Sequence, residues 1–370
     1  MRRLRSISAI LITFAFVLVA CGATEPSASQ GGAASTPPDE SAAPSQGGGD
    51  ATGGTVRIGI GGSADSLNPG NGVLSEAYTL YGLMYDTPIE ITSDGEYVPE
   101  LATDWVVSED GLTWTLTIRE DATFHDGEPL TAEDVAYSLN LYKATEDFPF
   151  LASYPAIYDT IEATDDTTVV LTTADPIGNF ESTMVFMYIL PQHIWEAEDD
   201  PVAFENADMV GSGPFMLAEY SQGEFVELAS NTEYWGTPPN VDGVIFQTIS
   251  NADARVTALT TGEVDAITEF PATAITALQN AENVNVHIAD IGAGGSLRDV
   301  FFNITAEENC PEDGGVCNGH PALQDIAVRR ALSHAMDKQQ IIDVATLGTG
   351  SPGLSLVPPG LGDFYGSEIQ

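Results

Sequence analysis

Positive charge is what this sequence has least of. Only 11 lysines and arginines stand against 55 aspartates and glutamates in 370 residues, a formal net charge of −44. A field of that sign repels phosphate backbones, which excludes nucleic acid as a partner. A salt-adapted or highly soluble surface accounts for such an excess; preference for a cationic ligand is the other source. Catalytic signatures are missing as well: no GxSxG, HExxH or SxxK occurs. In "VGSGPF" the serine is followed by Gly-Pro instead of a helix start, so it reads as a turn and not as a nucleophile elbow. A hydrolase assembled from distant residues remains the rival class, because five histidines and many serines and aspartates are present.

Cysteine is nearly absent, and the three that occur are informative. Cys21 closes the N-terminal stretch MRRLRSISAILITFAFVLVAC, in which Arg2, Arg3 and Arg5 precede an apolar run from Ile7 to Ala20. That order is a basic region, a hydrophobic region and a small-residue cleavage site; the run falls short of the roughly 20 residues a membrane span needs. The ending Leu18-Val19-Ala20-Cys21-Gly22 resembles the lipobox of bacterial lipoproteins, which implies a signal peptide over 1–20 and a lipid-carrying Cys21 anchored to the membrane. Residues 21–54 are Gly, Ala, Ser, Pro, Thr and Gln with little of any apolar size, too little to offset chain entropy, so they read as a disordered tether. Cys310 and Cys317 lie in "ENCPEDGGVCNGHP". Outside the cytoplasm such a pair forms a disulfide; a zinc site with His320 is the alternative, but no fourth soft ligand stands nearby.

The body from Thr55 is long enough for two lobes. "TVRIGI" alternates Val56, Ile58 and Ile60 and reads as a strand, as do "LTWTLTIR" and "TVVLTT". In "SEAYTLYGLMYD" Ser75 caps a short helix carrying Tyr78, Tyr81, Leu83 and Met84. The stretch "FHDGEPLTAEDVAYSLN" crowds His125, Asp126, Glu128, Glu133 and Asp134 together, which raises the question of a metal or acid–base site. Local geometry answers most of it. Asp126-Gly127 is a turn dipeptide, Pro129 stops a strand, and Thr131 with Asp134 approximates a capping box ahead of Val135, Leu139 and Tyr142 at helical spacing. Glu133 and Asp134 then meet the positive end of the helix dipole, and only His125 has no partner fixed by spacing. No metal or cofactor is called for.

Six motifs follow one another in order: Ser66-Leu67-Asn68-Pro69; "YVPELATDWVVSEDGLTWTLTIREDATFHDGEPLTAEDVAYSL" from Tyr97; "ILPQHIW" from Ile189; "VGSGPFMLAEY" from Val210; "NTEYW" from Asn231; and "HPALQDIAVRRALSHAMDKQQII" from His320. The series resembles the extracytoplasmic solute-binding proteins of family 5, the peptide-, dipeptide- and nickel-binding components of ABC importers. The resemblance implies an α/β, two-lobed periplasmic-binding-protein-like fold with a subdomain, about 88–205, inserted in a first lobe over 55–290. "TGEVDAI" would end a helix at glycine and start a strand; "RDVFFNIT", through Val300, Phe301, Phe302 and Ile304, would be a buried strand at the hinge. One helix from about Asp325 to Ala345 would bury Leu323, Ile326, Ala327, Ala331, Ala335 and Met336. Family members run past 370 residues, so residues 291–370 are expected to give a hinge and an incomplete second lobe.

The same resemblance implies an extracytoplasmic receptor, not an enzyme, that works as a monomer, captures a short peptide or other small solute and hands it to permease subunits. Oligosaccharides and nickel chelates are the alternative ligands. The ligand-facing candidates are Asn71, Ser75 and Tyr78 after the Leu-Asn-Pro turn, Phe148, Phe150 and Tyr154 in "EDFPFLASY", and Phe186, Met187 and Tyr188 before "ILPQ". Each aromatic can equally be core. None is Arg or Lys, so an anionic ligand would find no charge partner among them. Substituting Cys21→Ala should move the exported protein from the detergent phase to the aqueous phase on phase partitioning; identical partitioning of both forms would refute the lipid anchor.

Overall fold

Alternation places Ile58 and Ile60 of β1 (Thr55–Ile60) against the core, and the described residues form a five-stranded sheet around this start, a four-stranded sheet and a two-stranded hairpin. The computed structural model describes residues 53–92, 95–287, 302–305, 319–348, 350 and 352–353. After β1 come α1 (Ser75–Met84), a short hairpin of β2 (Ile89–Ile91) and β3 (Tyr97–Pro99), then β4 (Ala102–Val107), β5 (Thr113–Ile118) and α2 (Ala132–Ala144). Strands β6 (Thr160–Asp165) and β7 (Thr168–Thr172) complete an antiparallel sheet of order β4-β5-β7-β6. Two short helices, α3 (Phe180–Met184) and α4 (Gln192–Trp195), lead back to β8 (Phe215–Ser221), β9 (Phe225–Ser230) and β10 (Gly243–Thr248). Helix α5 (Ala252–Thr261) and β11 (Ala266–Ile267) close a five-stranded sheet of order β11-β1-β10-β9-β8, in which β1 runs parallel to both β10 and β11. Further on lie α6 (Ile275–Gln279), α7 (Ile326–Ala335) and α8 (Lys338–Ala345). Among the described residues no helix is long and apolar enough to cross a membrane.

Several elements form as their residues dictate. Thr131 accepts from the Glu133 amide, and Asp134 accepts from the Thr131 amide at 2.9 Å, so the capping box of α2 is complete. Val135, Leu139 and Tyr142 are fully buried along its inner face. Gly262, at φ +77°, ends α5 in the left-handed region before β11. Other expectations are corrected. Ser75 is the first residue of α1 and not its cap; Asp65 accepts from the amides of Val73 and Leu74 just ahead of the helix, and the Ser75 hydroxyl donates to Glu76. The helix expected from Asp325 to Ala345 is two, because Met336 is extended and Asp337 caps α8 by accepting from Gln340. Its apolar stripe is open, with Ile326 53% exposed. Phe302 and Ile304 are not in a strand and Ile304 is half exposed; a strand needs a sheet neighbour, and none pairs with 302–305 among the described residues. Cys21, Cys310, Cys317, Val300 and Phe301 lie outside the described residues.

The stretch built from β2 to α4 is tied to the five-stranded sheet at Gly211-Ser212-Gly213. Gly213 N–H donates to Met84 O at 3.0 Å, and a Cβ at either glycine would strike the Met84 backbone. His125 closes the same knot. Its Nδ1 accepts from Gly211 N–H (3.1 Å), which puts the proton on Nε2, where it is donated to Gly213 O (3.0 Å). Burial holds this imidazole below its ordinary pKa, since a charged ring would lose both water and the Gly211 bond. The histidine without a partner in the sequence is therefore a bracket between distant segments.

Beside the knot lies a buried acid pair. Asp86, 1% exposed, accepts from Tyr234 Oη (3.0 Å) and Trp235 Nε1 (2.8 Å), and Glu100 accepts from the Thr87 hydroxyl at 2.6 Å. Desolvation raises both carboxyls, Glu100 to about 8, with the neighbouring Asp86 charge adding to the shift. Glu100 therefore keeps in the folded state a proton that the unfolded chain releases near 4.5. The stability it contributes is complete below about 4.5 and is lost as pH rises towards about 8. His125, shifted the other way, contributes stability above 6.5 that is lost as pH falls. Urea midpoints measured against pH should decline on the alkaline side in the wild type, and Glu100→Gln should flatten that decline. Parallel declines in both proteins would show that Glu100 is not its source.

Candidate functional site

The loop after β1 is fixed by its own side chains. Buried Asn68 accepts from Gly70 N–H through Oδ1 and donates through Nδ2 to the carbonyls of Pro201 and Phe204, all at 2.9 Å. Asn71 Nδ2 donates to Val202 O at 2.8 Å, so this candidate's amide holds the loop to the 201–206 segment. The Tyr81 hydroxyl reaches the carbonyls of Ser66 (2.7 Å) and Asn68 (3.0 Å). Gly72 fits under that phenol and Gly70 under the Phe148 ring, with no room for a Cβ at either. Helix α1 therefore leaves the loop in one orientation.

On one side of α1, Ser75 and Thr79 stand a turn apart and face a cavity of about 150 Å³. Its other walls are Ile60 and Gly61 at the end of β1, and Thr268 and Glu269 just past β11; Leu80, Val226 and Phe246 form an apolar floor. The cavity thus opens at the carboxyl ends of two parallel strands, where α/β sheets place ligands. Glu76 and Glu269 supply its charge. Buried Arg255 stands behind Gly61, but its guanidinium donates to the carbonyls of Ile249 (2.6 Å), Ser250 (3.2 Å) and Glu269 (3.0 Å) and lies 3.9 Å from the Glu269 carboxylate.

On the other side, Tyr78 contacts Tyr81 and Tyr188 at ring distances of 5.6 and 6.3 Å. Tyr154 stacks on Phe186 at 5.5 Å and 17°, near enough to Tyr78 to bear on its ionisation. Burial raises the phenols of Tyr78, Tyr81, Tyr85 and Tyr188, so all stay neutral. The nine candidates therefore divide. Ser75 lines the cavity; Tyr78, Tyr154 and the 41%-exposed Phe186 make an aromatic wall with open surface. Met187 and Phe148 are enclosed in the core, and Tyr188 is the packed hub behind the wall, its carbonyl accepting from Tyr142 Oη. Phe150 stands apart, half exposed, with no ring stacked on it among the described residues. Sequence reasoning missed Glu76, Thr79, Thr268 and Glu269. The signal for the last two was available: they follow the strand in "TGEVDAI", and a strand parallel to β1 delivers its next residues to the cavity rim.

The architecture is that of periplasmic binding proteins. It superposes with a TM-score of 0.68 on the oligopeptide-binding protein AppA of Bacillus subtilis, solved with a nonapeptide, at 22% identity over 82% of this chain and 57% of that one. The probable D,D-dipeptide-binding periplasmic protein DdpA of Escherichia coli is 27% identical over 325 residues, 84% of this chain and 59% of its own length. Protein XP55 of Streptomyces lividans is 30% identical over 305 residues, 82% of this chain and 52% of its own. The chain spans between half and three fifths of the length of these relatives. Residues 96–370 match the model of the bacterial extracellular solute-binding proteins, family 5 middle, and the chain belongs to that family.

Because the Phe148 ring fills the space a side chain would take at position 70, Gly70→Ala should cost about 1–3 kcal/mol through overpacking. A denaturation midpoint equal to wild type would show that the loop yields instead.

Proposed function

We propose that this chain is the ligand-capturing part of an extracytoplasmic receptor that feeds an ABC importer, held to the membrane by lipid on Cys21 and serving short peptides. The observation that carries the reading is the division of labour across α1. A polar-rimmed, apolar-floored cavity lies at the ends of β1 and β11, and an aromatic wall lies on the next face of the same helix. An extended ligand can lie across both, with backbone groups at the rim and apolar side chains on Tyr78, Tyr154 and Phe186. Such surfaces tolerate varied side chains, which suits peptides. Sugar rings would also stack on these aromatics, and a nickel chelate would require an anion-holding arginine that the candidate positions lack. Relatives of this chain include a probable D,D-dipeptide-binding protein, and the solved structures that share its fold include an oligopeptide-binding protein, which supports peptides.

A receptor of this kind captures by closing a second lobe over the first and releases its ligand unaltered. The engagement of His125 speaks for the same reading, since both ring nitrogens are committed to backbone groups and neither is free to act as a base. The full-length protein should become more compact in solution scattering when its peptide is added, and mass spectrometry should recover the peptide unchanged. A hydrolysed product would overturn the receptor in favour of an enzyme.

A further inference from the structure

The seam where the segment from β2 to α4 joins the five-stranded sheet brings two carboxyl groups together, and their contact has a chemical requirement. Asp86 and Glu100 share a hydrogen bond. Two carboxylates have no hydrogen between them, so the bond exists only while the pair keeps one proton. Geometry says which side carries it. Asp86, 1% exposed, accepts from Tyr234 Oη on Oδ1 and from Trp235 Nε1 on Oδ2, and the buried Ser212 hydroxyl bonds the same carboxylate. The indole N–H can only donate, so Asp86 is the acceptor and Glu100 the acid. Glu100 keeps part of its surface in water, which gives the proton a way out.

The geometry points to a proton-operated latch: one hydrogen ion, carried by Glu100 and accepted by Asp86, fastens the inserted segment to the sheet, and its release lets the seam open. Thr87 and Glu100 stand at the root of the inserted segment, where the Thr87 amide and hydroxyl both donate to Glu100 Oε2. Across the seam, Ser212 precedes β8, and Tyr234 and Trp235 follow β9. Once Glu100 ionises, two negative charges lie side by side with little water, and the attraction becomes a repulsion. The other groups that face the pair do not relieve it. Glu90 adds negative charge, and Tyr188 and Tyr234 are phenols held neutral by burial. Arg119 is the near cation; its guanidinium lies 3.4 Å over the Trp235 ring and donates to the Glu100 carbonyl, but Asp121 neutralises it at 2.6 Å. His125, near Asp86, is kept uncharged by burial. Desolvation and the Asp86 charge push Glu100 up to about 8, so the closed pair keeps its proton at neutral pH.

Hydrogen exchange of the full chain, followed by mass spectrometry from pH 6.5 to about 8, tests the latch in a window where His125 stays neutral. An opening that releases one proton becomes about tenfold more frequent per pH unit. Protection factors, which correct for the intrinsic rate, should fall by that factor per unit in the peptides that contain His125, Gly211 and Gly213, whose amides bond across the seam. They should also stay below those of Val244 and Phe246 in β10. Glu100→Gln, whose amide donates to Asp86 but cannot ionise, should hold the seam's protection constant over the window. Equal slopes in variant and wild type, or seam amides that exchange only together with β10, would overturn the latch. Infrared spectra of the wild type give a reading that needs no variant. A protonated-carboxyl stretch should persist at pH 6.5, where exposed carboxylates are ionised, and fade as pH passes about 8; its absence at pH 6.5 would equally overturn the latch.

Discussion

Everything around the candidate site hangs on a place where two backbones cross with no side chain between them. The amide of Gly213 donates to the carbonyl of Met84, the last residue of α1, and Gly211 packs against the same carbonyl. That contact fixes the exit of α1 against the entrance to β8. It also sets the orientation of the whole segment from β2 to α4, which leaves at Asp86 and returns at Gly211. Because α1 is held at this end and its loop is held at the other by Asn68, Asn71 and Tyr81, the helix cannot shift without breaking one set of bonds. The positions of Ser75, Glu76 and Tyr78 follow from those two clamps.

How much of this could be read in the sequence depends on how local each determinant is. The α2 cap, the Gly262 stop and the turn at Asp126-Gly127 are encoded within a few residues of one another, and they form as expected. Ser75 looked like a cap by type, but the cap position falls on Leu74, whose side chain caps nothing; Asp65, ten positions before Ser75, holds the amides of Val73 and Leu74 ahead of the helix, and no short-range rule weighs so distant a tie. His125 is the clearest case. Its partners lie 86 and 88 positions away, so its role became visible only once the fold brought Gly211 and Gly213 to it. The aromatics show the same limit in another form: the family resemblance offered six among its nine candidates, and packing divided them into wall, hub and core, with Phe150 apart from all three.

The acidic excess has a parallel history. In the sequence it stood as a whole-molecule property with two readings, surface solubility or preference for a cation. In the fold it becomes specific, because scarce cations are spent on structural carbonyls and carboxylates. Arg255, 4% exposed, is the extreme example, a buried guanidinium that serves to hold the corner between α5 and the rim of the cavity. With so few positive groups in the chain, assigning them to architecture leaves the site negative by default.

The edge strand next to the cavity has a mechanical consequence. β11 contributes two residue pairs to the ladder with β1, Ile58 with Ala266 and Gly59 with Ile267, whereas β10 contributes six on the other flank. Upstream, Arg57 fastens the approach to β11 through Asp265 and the Gly262 carbonyl; downstream, the Thr268 amide donates to the Gly59 carbonyl at 3.3 Å and the Glu269 carbonyl accepts from Arg255 at 3.0 Å. Force applied to the chain beyond Glu269 is thus met first by the Arg255 guanidinium, next by the longer Thr268 bond and then by a two-residue zip. Peeling it open would leave the ladder from β1 through β10 to β8 intact. The sheet is stiff where it supports α1 and compliant along the one margin from which the polypeptide departs.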